Sequence, residues 1–167
     1  MHPHSRRTHQ NFSGFTLVEI MVVIVIIGLL AALAMPGYRM LTLRAKATAF
    51  QNDIRAISGV FQSYNLERGR WPAEVAEGVI PPEVATGLPA GFARPTVIGG
   101  LYDWDHDVAP NGFNTKAAIS IVSTAASTMT NDLDLLERID LVMDDGNLAT
   151  GNVRLGSTNA LVIILEL

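Results

Sequence analysis

A chain of 167 residues has room for one modest domain beside a membrane segment, and 12 basic against 16 acidic residues leave a net charge of −4. That balance disfavours bulk nucleic-acid binding, and the absence of cysteine excludes disulfide staples and thiolate chemistry. Catalysis has little to stand on: beyond the first 14 residues there is one histidine, His106, with no G-x-S-x-G elbow and no glycine-rich phosphate loop. The chain is therefore expected not to be an enzyme.

Residues 1–14 are short and polar and carry Arg6 and Arg7, a charge pattern that holds an N-terminus in the cytoplasm. His2, His4 and His9 also fall here, where an unstructured peptide has nothing to fix a metal's geometry. From Phe15 to Met35 follow 21 residues that are apolar except for Thr16 and Glu19. A helix of ~20 residues at ~1.5 Å each covers the ~30 Å of a bilayer core. Glu19 is the one charge in this run, and an acid in lipid is expensive unless it has a partner. An ordinary secretory signal is the competing explanation, since Ala32-Leu33-Ala34 fits a small-x-small cleavage site. Against it stand the charge inside the core and a core longer than the usual ~7–15 residues. A plain membrane anchor leaves Glu19 equally unexplained.

The string Gly14-Phe15-Thr16-Leu17-Val18-Glu19, followed by the apolar run and Pro36, resembles the class III signal of type IV pilins and type II secretion pseudopilins. The resemblance covers roughly the first third of the chain and is highly specific there. It implies cleavage by a prepilin peptidase between Gly14 and Phe15, N-methylation of Phe15, and a role for Glu19 in assembly. It also implies a single-pass protein of the bacterial inner membrane, handed to an inner-membrane assembly platform and packed with homologous subunits into a periplasmic or extracellular filament. Removal of the leader takes the net charge from −4 to −6, because Arg6 and Arg7 leave with no acid. Many type IVa pilins close a C-terminal loop with a disulfide, so the lack of cysteine leans toward a pseudopilin. A membrane-anchored monomer that binds a ligand, or DNA as competence pseudopilins do, is the rival reading; the acidic balance makes nucleic acid an unfavoured partner.

Gly28 and Pro36 interrupt the helical pattern, and proline removes one backbone hydrogen bond, so a bend is expected near residues 32–36. Beyond it, Phe50, Ile54, Ile57, Phe61 and Tyr64 recur at spacings of four and three, the stripe of a helix laid on a core. Arg39, Arg44 and Lys46 near the membrane exit could meet anionic lipid headgroups or simply face solvent. Gly69 and Pro72 end this helix, which would reach roughly 80 Å if it were continuous from Phe15. Residues 69–100 are rich in proline and glycine and read as a connecting loop.

In the remainder, residues 101–105, 116–124, 153–155 and 161–165 read as strands. Asn131 would cap a helix running to Met143, with Leu133, Leu136, Ile139, Leu141 and Val142 as its apolar face. The divisions are thus a leader (1–14), a transmembrane or filament-core helix (15–36), an amphipathic helical half (37–68), a loop (69–100) and a C-terminal sheet (101–167). The fold class is α+β, a long N-terminal helix packed on a small antiparallel sheet, pilin-like. Asp103, Asp105 and Asp107 alternate and could offer hard oxygens to calcium, an ion that major pseudopilins hold in a C-terminal loop. Solvated acids at a strand end are the plainer reading, and the cluster lacks an EF-hand's glycine and distal glutamate. Asp144, Asp145 and Asn147 form a second group, which a turn after a helix explains.

Overall fold

A computed structural model describes residues 14–156 and 158–167. The leader residues before Gly14, with Arg6, Arg7 and the three histidines, lie outside the described residues. Helix α1 runs Leu17–Arg68, 52 residues in one helical segment that contains both Gly28 and Pro36. The chain falls into two compact units, one ending at Met40 and the other beginning at Leu41.

In the first unit no described residue covers the apolar side chains. Leu17, Ile20, Val22, Ile24, Ile26 and Leu30 are all exposed, and Phe15 is 83% exposed. A helix that is apolar all round and unburied is suited to lipid or to other helices rather than to water. Its length and mean hydropathy of 3.0 meet what crossing a membrane requires.

The second unit is a four-stranded antiparallel sheet against which the C-terminal part of α1 packs. Strands β1 (Leu101–His106), β2 (Ala117–Val122), β3 (Val153–Leu155) and β4 (Leu161–Glu166) are ordered β1-β2-β4-β3. Register puts Trp104 opposite Ile119, Ile119 opposite Ile163, and Ile163 opposite Val153, so one buried row crosses the sheet. Phe50, Ile54, Ile57 and Phe61 of α1 join this row in a single core. Phe61 stacks on Trp104 with ring centroids 3.9 Å apart and planes 7° from parallel. Tyr64, the last member of the stripe, is half-buried.

Gly69 ends α1 with φ +67°, and its N–H donates to the Asn65 carbonyl at 2.8 Å. A side chain there would strain a left-handed residue, hence glycine. The loop that follows is a structural layer. Trp71, Val84, Leu88, Phe92 and Ile98 are buried in the core, and a 3₁₀ turn forms at Pro82–Val84. The indole N–H of Trp71 donates to Glu166 at 2.6 Å, and that of Trp104 to the Pro72 carbonyl at 3.2 Å.

Helix α2 spans Leu133–Met143, and its N-cap is Asp132 rather than the expected Asn131. Its buried face also differs from the expected one. Leu135, Leu136, Ile139 and Asp140 are buried, while Leu133 and Leu141 are 54% and 57% exposed and Val142 is partly exposed. Leu136 and Ile139 fit the predicted stripe; Asp140, one residue on at the same face, does not look apolar and so escaped it.

Candidate functional site

The residues expected to serve processing and assembly, Gly14, Phe15 and Glu19, lie at and just before the N-terminal turn of α1. Thr16 and Glu19 form a reciprocal capping box. The Thr16 N–H and Oγ1–H both donate to Glu19 Oε2, at 2.8 and 2.9 Å, and the Glu19 N–H donates to Thr16 Oγ1 at 3.2 Å. The sequence T-L-V-E is the capping-box pattern, in which a threonine and a glutamate three residues on satisfy each other's orphan N–H groups. Glu19 therefore has a local structural partner in Thr16, distinct from any intramembrane counter-ion. Gly14 and Phe15 lie exposed just before this turn. A Cβ at Gly28 would meet no atom within 4 Å, so the described structure crowds nothing there.

The three aspartates of the β1 cluster are handled differently from one another. Asp105 is buried and accepts the Ser120 hydroxyl at 2.5 Å. Asp103 is half-buried on the same sheet face and stands opposite Ser120 in register. Asp107 lies beyond the strand end at φ +53°, exposed, and pairs with His106 at 3.4 Å. Burial, and then the charges of Asp105, Glu74 and Glu77, push the Asp103 carboxyl up to about 7. Burial also raises Glu74, although its carboxylate accepts the His106 N–H at 2.6 Å. The three aspartates do not converge on a shared ligand position. Among the described residues, the acids whose oxygens do converge are Asp140, Asp144 and Asp145, within 4.8 Å of one another.

Comparison with known proteins bears on the N-terminal site first. The family model for the prokaryotic N-terminal methylation motif matches residues 9–35. A Pseudomonas aeruginosa fimbrial protein is 36% identical over 115 residues, 69% of this chain and 71% of that protein. The chain belongs to the type IV pilin and pseudopilin family. This pilin-like chain is also 37% identical over 95 residues to the type II secretion system core protein G of Pseudomonas aeruginosa, covering 57% of the chain and 60% of that protein. It is 30% identical over 120 residues to a Neisseria meningitidis fimbrial protein, covering 72% of the chain and 59% of the relative. The chain thus spans about three-fifths of the length of these last two relatives. In fold, it matches the major type IV pilin PilA1 from Clostridium difficile with a TM-score of 0.52 at 16% identity, over 75% of this chain and 97% of that one. The pilin-like subunit thus couples a prepilin-type motif to an apolar helix and a small antiparallel sheet.

Proposed function

We propose that the chain is a structural subunit of a type II secretion pseudopilus or a type IV pilus-like filament, cut by a prepilin peptidase after Gly14 and assembled through α1. The observation that carries this reading is the run from Phe15 to Met35 in the first unit, exposed along its length and charged only at Glu19, one turn from the expected processing junction. Hydrolysis of the Gly14–Phe15 peptide bond frees an α-amine at Phe15, and methylation leaves that amine cationic. In the membrane Glu19 partly neutralises the amine of its own chain. In a filament it meets the Phe15 amine of a neighbour, inside a bundle of apolar helices. A buried charge left without its partner is strongly destabilising, so packing registers that separate the two are penalised by several kcal/mol. A head-to-tail contact that does not close on itself generates a helical filament. The capping box adds a second duty, since the same carboxylate holds the first turn of α1 until a neighbour's amine arrives. The lack of cysteine supports the pseudopilus side of the reading.

Intact-mass analysis of the filament fraction sheared from cells tests the proposal. The expected species starts at N-methylated Phe15. A chain found only in the membrane fraction, or one that starts at Met35 after an ordinary signal-peptidase cut, contradicts it.

A further inference from the structure

Residues 73–79 of the connecting loop are fastened to the outer edge of β1 in a way that neither processing nor filament assembly requires. The Gly78 N–H donates to the Tyr102 carbonyl at 2.8 Å, and the His106 N–H donates to Glu74 Oε2 at 2.6 Å. The loop thus covers the strand edge that faces away from β2. At Gly78, with φ +71°, the chain turns so close to the strand that a Cβ would stand 3.0 Å from Leu101 Cδ1. Its apolar hold is slight. Val75 and Ile80 are partly buried against the core, while Ala73, Glu74, Ala76, Glu77 and Val79 are exposed. A segment gripped by two polar bonds and two half-buried side chains belongs to the low-stability end of a fold.

The strand beneath the loop opposes that grip. Asp103 is half-buried, and its Oδ1, shielded from solvent, has no hydrogen-bond partner among the described residues. The charges that act on it are those of Asp105 on its own strand and of Glu74 and Glu77 on the loop. From β2, the Ser120 hydroxyl donates to Asp105 at 2.5 Å. The basic side chains at the far end of this strand pair are engaged, Lys116 with Glu166 at 2.6 Å and His106 with Asp107 at 3.4 Å. The Trp104 N–H favours the Asp103 anion, but burial and then the three like charges outweigh it and hold the carboxyl up at about 7. Glu74 shows the same balance, since burial outweighs the His106 N–H and Asp105 adds to it. The closed loop therefore keeps protons that an open loop would release, and its hold weakens as pH climbs from the ordinary 3.8 of Asp103 towards 7.

We propose that Asp103 is the trigger of a pH-operated latch: ionisation of its carboxyl releases residues 73–79 from the outer edge of β1. In mildly acid surroundings the neutral carboxyl tolerates Glu74 and Glu77 beside it, and the loop stays closed. Once Asp103 is ionised, lifting the loop relieves the cluster in two ways. It takes Glu74 and Glu77 away from the strand, and it opens the Asp103 anion to water. The freed edge then presents the Tyr102 carbonyl and the His106 N–H for pairing with another strand.

The test is hydrogen–deuterium exchange of the full chain in detergent, read as protection after correction for the intrinsic base-catalysed rate. The amides of Gly78 and His106, which fasten the loop, should lose protection at least about tenfold between pH 4.5 and pH 8, while amides within β4 keep theirs. Asp103→Asn should cut that loss to below about threefold, the remainder belonging to Glu74 and Asp105. Glu77→Gln, at an exposed position, should move the midpoint to lower pH, and it serves if the first variant folds poorly. Asp140→Asn, which removes a raised acid on α2, should leave the loss unchanged. The proposal is overturned if the parent's protection at Gly78 and His106 is constant over this range. It is equally overturned if Asp103→Asn loses protection as the parent does, or if Glu77→Gln leaves the midpoint in place. Loss within β4 in step with the loop would also overturn it, since the whole sheet rather than a latch would then be loosening.

Discussion

Asp103 sits among like charges on the sheet face away from α1, with Asp105, Glu74 and Glu77 all raising its proton affinity once burial has done so first. Its folded value of about 7 lies above the ordinary 3.8, so between these pH values the native state keeps a proton that the unfolded chain has lost. Stability therefore falls as pH rises through that window, and Asp140, Glu74 and Asp105, all raised, add to the same trend. Asp103→Asn should accordingly stabilise the protein by roughly 1–2 kcal/mol at pH 8, after allowing for its partial exposure, and by almost nothing at pH 4. Urea unfolding at the two pH values measures the difference; an equal effect at both would show that the carboxyl is not proton-linked. Glu19 shows the same principle of local context. The T-L-V-E string announces both an N-cap and, by its place in an apolar run, an acid that needs a counter-ion. The first meaning was available in the sequence and is realised in the turn itself.

Elements were legible where periodicity ran unbroken. Phe50, Ile54, Ile57 and Phe61 lie buried as their spacing requires, and all four strands fall within a residue or two of the hydrophobic runs that suggested them. Helix α2 was legible in extent and wrong in face. Period counting treats an aspartate as solvated, and Asp140 is instead buried between Ile139 and the helix end, where only the fold of the following loop makes room for it. Residues 69–100 form the connecting loop that was read there, but their part in the core was hidden for a similar reason. Its prolines and glycines announce turns, but Trp71, Phe92 and Ile98 are spaced too irregularly for any period to reveal that they close the core. Within that core the Phe61–Trp104 stack joins α1 to β1. Phe61→Ala should cost about 3–5 kcal/mol, the range for removing a fully buried aromatic ring. A loss below about 1 kcal/mol in chemical denaturation would show that α1 is not integral to the folded domain.

At the scale of the molecule, one chain holds two environments. The second unit is a folded α+β body with its own core, and the first is an apolar helix with no core among its described residues. Such a helix is stable in lipid or among copies of itself, and the family to which the chain belongs supplies the context for both. The N-terminal motif made that division readable from the sequence, because a charged residue in a 21-residue apolar run is costly unless assembly uses it. The capping box gives that charge a competing explanation, and the two make different demands. A glutamine at position 19 can still close the box, but it cannot neutralise an ammonium group. The decisive measurement is therefore the yield of sheared filaments, relative to processed protein in the membrane, for Glu19→Gln beside Glu19→Leu. Charge pairing predicts that both variants are inserted and cut after Gly14, and that both lose filaments at least tenfold. Filaments at the parent level from Glu19→Gln would contradict the pairing of Glu19 with a neighbour's Phe15 amine and leave the carboxylate as a helix cap.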